Sequence, residues 1–326
     1  MARSSGLLAA LALAACAASP VAAEEAADFP ASTVKILVPF AAGGPTDVVA
    51  RILADLLSAR WGGKPVVVED RPGAGTIVAT AATAKAPADG CTVGIATNSF
   101  LINPAIGLKL PYDTRKDFTS ITMIATQPVA LVANAAFPAR TLADVIAVAK
   151  ASAEPLNFTS PGPRGVGHLA GEMLQQRAGI KMQHINYNGS APALTDVIAG
   201  RVPLMFDIWH SARRYVENGQ LKLIAGAGSD PLPGAEGAPT IAQTFPGFNV
   251  IAFNAVIGPA GIPAPILAKL AADIGAVVDS QAFAERAQPL GIDARSTTPR
   301  ELDAWFAKEM DKWAAIAREA NIKVEQ

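Results

Sequence analysis

Hydrophobic positions along the chain switch repeatedly between two periods. Residues 34–38 are a short apolar run rich in β-branched side chains that stops at Pro39, the pattern of a buried strand. Gly43-Gly44-Pro45 interrupts it, and Val48, Ile52, Leu53, Leu56 and Leu57 then recur at helical spacing. Thr46 or Asp47 stands where an N-cap belongs. The predicted unit is strand, glycine loop, helix. A helix start presents N–H groups without intrahelical acceptors and a partial positive charge, so this turn suits an anion.

The alternation continues. A strand is expected over 65–70, a loop over 71–76, an alanine-rich helix to about residue 85, and a strand over 91–97 that ends at Asn98 and Ser99. Strands alternating with helices argue for a parallel sheet covered on both faces. Ligands bind such sheets at the carboxyl ends of the strands, where Gly43, Gly44, Asn98 and Ser99 would gather. Residues 129–133 read as a crossover strand and 141–152 as a helix. A strand over 156–160 then enters the glycine-rich loop 161–167, and a helix begins near His168. This repeats the first unit and suggests two similar domains facing each other across a cleft. Further strands are expected at 182–187, 202–207 and 221–225, with a helix at 191–199 and a return crossover at 248–257. Helices over 265–278 and 299–320 close the chain, and Trp305, Phe306 and Trp313 fall at helical spacing as core anchors.

Composition narrows the possibilities. A chain of 326 residues can build two domains. The net charge of −1 and the lack of basic runs interleaved with aromatics give no reason to expect a nucleic-acid or anionic-membrane partner. The N-terminus is a targeting segment: Arg3, an apolar stretch over 7–18 too short for a membrane span, and Val21-Ala22-Ala23 before Glu24. Two outcomes stay open, cleavage of a signal peptide 1–23 or lipidation at Cys16 in Leu13-Ala14-Ala15-Cys16. Either way the mature chain is exported, and Cys91, its one remaining or unmodified thiol, forms no internal disulfide and reads as a small core residue.

Three catalytic readings fail on the residue pattern. The glycine loop with Glu69 or Asp70 at the next strand end imitates a dinucleotide fold, but Gly43-Gly44-Pro45 is not G-x-G-x-x-G. Ser160, His168 and Asp207 lack the G-x-S-x-G elbow of a hydrolase. His168, His184 and His210 lack metal-ligand spacing. No enzyme, cofactor or metal site is expected.

Five segments in this order resemble the receptors of tripartite tricarboxylate transporters, the TctC or Bug family. They are Val38-Pro39-Phe40-Ala41-Ala42-Gly43-Gly44-Pro45-Thr46-Asp47, Arg71-Pro72-Gly73-Ala74-Gly75, Pro111-Tyr112-Asp113, His168-Leu169-Ala170-Gly171-Glu172 and Tyr187-Asn188-Gly189-Ser190-Ala191-Pro192-Ala193. The resemblance implies an α/β periplasmic binding protein fold of two domains, each a mixed, mostly parallel sheet flanked by helices and joined by crossover strands. The expected bounds are 32–130 with 256–326 for one domain and 131–255 for the other. It implies a monomeric, non-catalytic periplasmic receptor that closes on a small carboxylate and serves the membrane subunits of a tripartite transporter; a receptor feeding a sensor kinase would need the same trap. Two loops, 40–47 and 160–168, would grip the ligand, with backbone N–H groups and waters of the first holding a carboxylate.

The expected ligand-binding residues are Phe40, Gly43, Gly44, Thr46, Asp47, Asn98, Ser99, Ser160, Arg164, Gly165, His168, Tyr187, Ala191, Pro192 and Asp207. One departure stands out. Where the family usually has glycine followed by Ser or Thr, this chain has Arg164 and Gly165. A guanidinium can hold a carboxylate through two parallel hydrogen bonds, so a di- or polycarboxylate is expected.

Overall fold

The computed structural model describes residues 29–319 except 163 and 188, so the targeting segment and Cys16 lie outside the described residues. The chain opens with β1 (Val34–Val38), α1 (Pro45–Arg60), β2 (Val66–Asp70), α2 (Ile77–Ala84), β3 (Thr92–Ala96) and α3 (Asn98–Ala105). A long strand, β4 (Phe118–Asn134), leads to α4 (Leu142–Ala151), β5 (Leu156–Thr159), α5 (Val166–Ala178), β6 (Met182–Ile185), α6 (Ser190–Ile198), β7 (Leu204–Ile208), α7 (Trp209–Glu217) and β8 (Leu221–Gly226). The chain then returns through α8 (Ile241–Thr244), β9 (Ile251–Pro259), α9 (Ala264–Val278), α10 (Gln281–Ala287), β10 (Asp293–Ala294) and α11 (Pro299–Glu319).

The strands lie in the order β2-β1-β3-β9-β4-β7-β5-β6, with β8 and β10 also paired to β4. The β1–β2, β1–β3, β5–β6 and β5–β7 pairs are parallel, and every pair made by β4 or β9 is antiparallel. The sheet is therefore mixed, and β4 is its spine. Residues 118–128 of β4 pair with β9, and 129–134 pair with β7 and β8. The sequence pattern reveals only the last part of this strand. Its first two thirds are rich in Thr and Ser, and Pro128, which has no N–H to give a ladder, sits where β4 exchanges one partner for another.

This topology turns the two halves toward each other. β1, β2 and β3 run one way and β5, β6 and β7 the opposite way. Ala96, at the end of β3, pairs with Ala255, which pairs with Met123; Ile208, at the end of β7, pairs with Val129. Six residues of β4 separate the two levels, about 20 Å at strand rise, so the carboxyl edges of both halves face one gap. The return crossing lies beside the outgoing one: Ile251 pairs with Pro128, Ala227 N–H donates to Val129 O at 2.8 Å, and Val250 N–H to Ala227 O at 2.8 Å.

Helix α1 is fixed against α9 by the buried Asp273, which accepts from Trp61 Nε1 at 2.8 Å and Arg60 Nε at 2.8 Å, and pairs with Lys269 at 2.9 Å. Trp313 and Phe306 are buried as expected, and the half-buried Trp305 packs edge-on against Phe253. Cys91 is a free thiol, half-buried rather than interior, and accepts a hydrogen bond from Ser32.

Candidate functional site

The first glycine loop leaves β1 and enters α1. The N-cap is Gly44, not Thr46 or Asp47: Pro45 opens the helix, where its missing N–H is no loss and its fixed φ suits the turn. Gly44 brings no side-chain acceptor, so the first-turn N–H groups of Thr46 and Asp47 have neither an intrahelical nor a capping partner. Asp47 has another task. Its Oδ2 accepts the N–H of Gly43 at 2.7 Å, folding the loop back on the helix, while Oδ1 faces Arg51 Nε at 2.8 Å. Arg51 also reaches Asp70 Oδ2 at 2.9 Å. Burial raises the Asp47 carboxyl, but Arg51 and the Gly43 N–H outweigh it and hold the group below its ordinary range. Gly43 has φ +80°, the left-handed region that glycine enters without strain.

The second loop, between β5 and α5, repeats this arrangement. The helix starts at Val166 rather than His168, and its N-cap is Gly165, again without a side-chain cap. Gly44 and Gly165 have nearly the same backbone angles, φ −77° and ψ 165° against φ −79° and ψ 173°. The residue before each cap is left-handed: Gly43 at +80° and Arg164 at +61°. In each loop that residue donates its N–H to the side chain four positions on, Gly43 to Asp47 and Arg164 to His168 Nδ1 at 2.9 Å. The helical neighbour four further on pairs with that side chain in both, Arg51 with Asp47 and Glu172 Oε1 with His168 Nε2 at 3.5 Å. The backbone device is conserved between the copies while the charges are exchanged.

Around the second loop the structure assembles a cluster that the pattern of the sequence did not reveal. The rings of His168 and His184 stack, centroids 4.0 Å apart and 19° between planes. His184 Nε2 lies 2.8 Å from Ser160 Oγ and its Nδ1 2.9 Å from Asn186 Oδ1. Burial, and then the neighbouring His168, push the His184 imidazole down to about 4, so it is neutral at neutral pH. Ser, His and Asn in hydrogen-bonded order resemble a hydrolytic chain. Ser160, however, is fully buried and its hydroxyl also donates to Gly162 O at 3.0 Å, which makes it a brace for the loop. His168 and Asp207 are not its partners.

The other expected residues divide by what their polar atoms meet. Phe40 is 40 % exposed, one of the few large apolar side chains left open, and it lies beside the first loop. Thr46 Oγ1 accepts from Asn254 of β9 at 3.2 Å. Asn98, the first residue of a helix not foreseen, commits both ends of its amide to β9, donating to Ile251 O at 2.9 Å and accepting from Phe253 N–H at 3.3 Å. Ser99 is half-buried beside it. Tyr187 gives its hydroxyl to Asp196 on α6, leaving its ring rather than its oxygen for other contacts. Ala191 and Pro192 are exposed in the first turn of α6, and Gly189 N–H bonds Pro161 O at 2.6 Å, joining that turn to the second loop.

Asp207, at the end of β7, is 1 % exposed. Its Oδ1 accepts from Ser190 Oγ at 2.9 Å and Ile208 N–H at 2.8 Å, and Oδ2 has no hydrogen-bond partner among the described residues. Burial pushes this carboxyl up to about 7. The Arg164 guanidinium, half-buried in the loop, pairs with no carboxylate among the described residues.

This architecture recurs in solved structures. A Rhodopseudomonas palustris protein, Rpa4515 with adipate, is 29 % identical and superposes with a TM-score of 0.82 over 91 % of this chain and 99 % of that one. MatC from the same organism, with bound malate, is also 29 % identical, with a TM-score of 0.78 over 89 % of this chain and all of its own. Among curated sequences, BugT of Bordetella pertussis is 32 % identical over 312 residues, 94 % of each chain. Residues 49–322 match the family described as tripartite tricarboxylate transporter family receptor. The chain belongs to that family of periplasmic solute receptors.

Proposed function

We propose that this chain binds a small di- or polycarboxylate between its two glycine loops and presents it to the membrane subunits of a tripartite transporter. The observation that carries the reading is the pair of uncapped helix starts at Gly44 and Gly165, built alike and mounted on carboxyl edges that face one gap. One carboxylate takes the N–H groups after Gly44. The second takes the start of α5 and the unpaired Arg164 guanidinium, an arrangement suited to bidentate contact. Adipate in one relative and malate in another, both dicarboxylates, agree with this division. Phe40 walls the space between the anionic ends. The reading is one of binding without turnover: ligand preferring the closed arrangement shifts the population toward the form a membrane partner recognises.

The test compares mono-, di- and tricarboxylates by thermal shift and calorimetry on wild type, Arg164→Ala and Arg164→Gly. Glycine deletes the guanidinium and accepts the left-handed angle; alanine deletes it and keeps the strain. A loss of about tenfold or more for dicarboxylates, with little change for monocarboxylates, is expected in both variants. Equal losses for both ligand classes would remove Arg164 from recognition. Absence of binding by the whole panel would remove the carboxylate itself.

A further inference from the structure

Building on that reading, we infer that His168 is the positioning residue of the second loop, doing with imidazole Nδ1 what Asp47 does with a carboxylate in the first. Arg164 is neither glycine nor asparagine, yet it has φ +61°. A left-handed angle at such a residue persists only where its surroundings over-determine it. The contact that does so is the N–H of Arg164 on His168 Nδ1 at 2.9 Å. The bond fixes the tautomer: Nδ1 accepts, so the proton sits on Nε2, toward Glu172 Oε1 at 3.5 Å. The ring is itself held by the stack on His184, which Ser160 and Asn186 anchor from either side. A chain of contacts thus runs from β6 through His184 and His168 to the backbone of Arg164. It sets where the guanidinium leaves the loop and where the first N–H groups of α5 point.

The ring has two separable duties, stacking and accepting, and two substitutions separate them. His168→Phe keeps a ring over His184 and removes the acceptor. His168→Asn places Oδ1 at the same number of bonds from the backbone as Nδ1 and removes the stack. Amide hydrogen exchange at Arg164, followed by NMR on the ligand-free chain, reads the clasp without any ligand. Exchange is expected to quicken up to about tenfold in the Phe variant, the worth of one such bond, and to stay near wild type in the Asn variant. Adipate, titrated in parallel, should weaken in the Phe variant and be largely retained in the Asn variant. Slow exchange and full affinity in the Phe variant, with loss in the Asn variant, would show that the ring matters only by packing and would overturn the inference. If wild type binds no adipate while Arg164 remains protected through His168, the positioning role stands and the assignment of the ligand falls.

Discussion

Gly171 offers the sharpest check on how the second loop is carried. It lies inside α5, five residues past the helix start, and a Cβ added there would fall 2.0 Å from Phe158 Cε2 and 2.2 Å from Cζ. Ordinary carbon contacts lie near 3.5–4.0 Å, so ring or helix must move by more than an ångström. The ring has nowhere to go. Phe158 is fully buried, with Phe206 edge-on at 6.3 Å, His184 at 5.0 Å and His168 at 6.3 Å between centroids. Overpacking of this kind costs about 1–3 kcal/mol, and the clash places it at the upper end. Replacing a helical glycine by alanine returns up to about 1 kcal/mol. Gly171→Ala should therefore lose about 2 kcal/mol, a Tm fall of about 3 °C for a chain of this size. Differential scanning calorimetry measures it. Because the second loop runs straight into the first turn of α5, carboxylate affinity should fall too, and Phe158→Leu introduced into Gly171→Ala should recover part of both. A Tm equal to or above wild type would show that the ring is not tightly confined, and the account of what seats α5 would be wrong.

Two further outcomes follow from buried polar groups. Burial lifts the Asp207 carboxyl to about 7, so the folded chain keeps its proton more firmly than the unfolded chain. Its contribution is full below the unfolded carboxylate value near 4 and is lost as pH rises to about 7. Urea unfolding across that range should show Asp207→Asn gaining on wild type as pH increases; a flat difference would mean that Asp207 titrates normally. In the loop after β2, residues 73–76 all have positive φ, and Thr76, β-branched at +78°, has a buried hydroxyl without a hydrogen-bond partner among the described residues. Thr76→Gly relieves about 1–2 kcal/mol of left-handed strain against a glycine entropy penalty of about 0.5–1 kcal/mol. The expected result is a Tm unchanged or raised by a few degrees, and a fall by thermal melt would place other contacts in control of that loop.

What the sequence disclosed and what it concealed separate by the range of the interaction. Gly43-Gly44-Pro45 and the glycine-rich stretch around Arg164 and Gly165 are local signals, and both loops are where they were expected. The caps differ from the sequence expectation because glycine followed by Pro or Val starts each helix, whereas Thr46, Asp47 and His168 bear the side chains that usually mark a start. Helix α3 is not legible in the sequence, because Asn98 and Ser99 read as a strand ending and Pro104 breaks the pattern near its close. Asn98 bonding to Ile251 and Ser160 to His184 depend on neighbours distant in sequence, and no periodicity reports them.

The closing bonds of the two loops are different in kind, since each spans four residues and lies within reach of sequence analysis. The pattern hides them because the copies perform one task with unlike side chains, Asp47 against His168, and hold them with opposite charges, Arg51 against Glu172. The shared backbone offers an anion the same N–H groups in both loops. In the proposed dicarboxylate site, Arg164 standing in the place of Gly43 makes the two ends unequal and would give the ligand a direction.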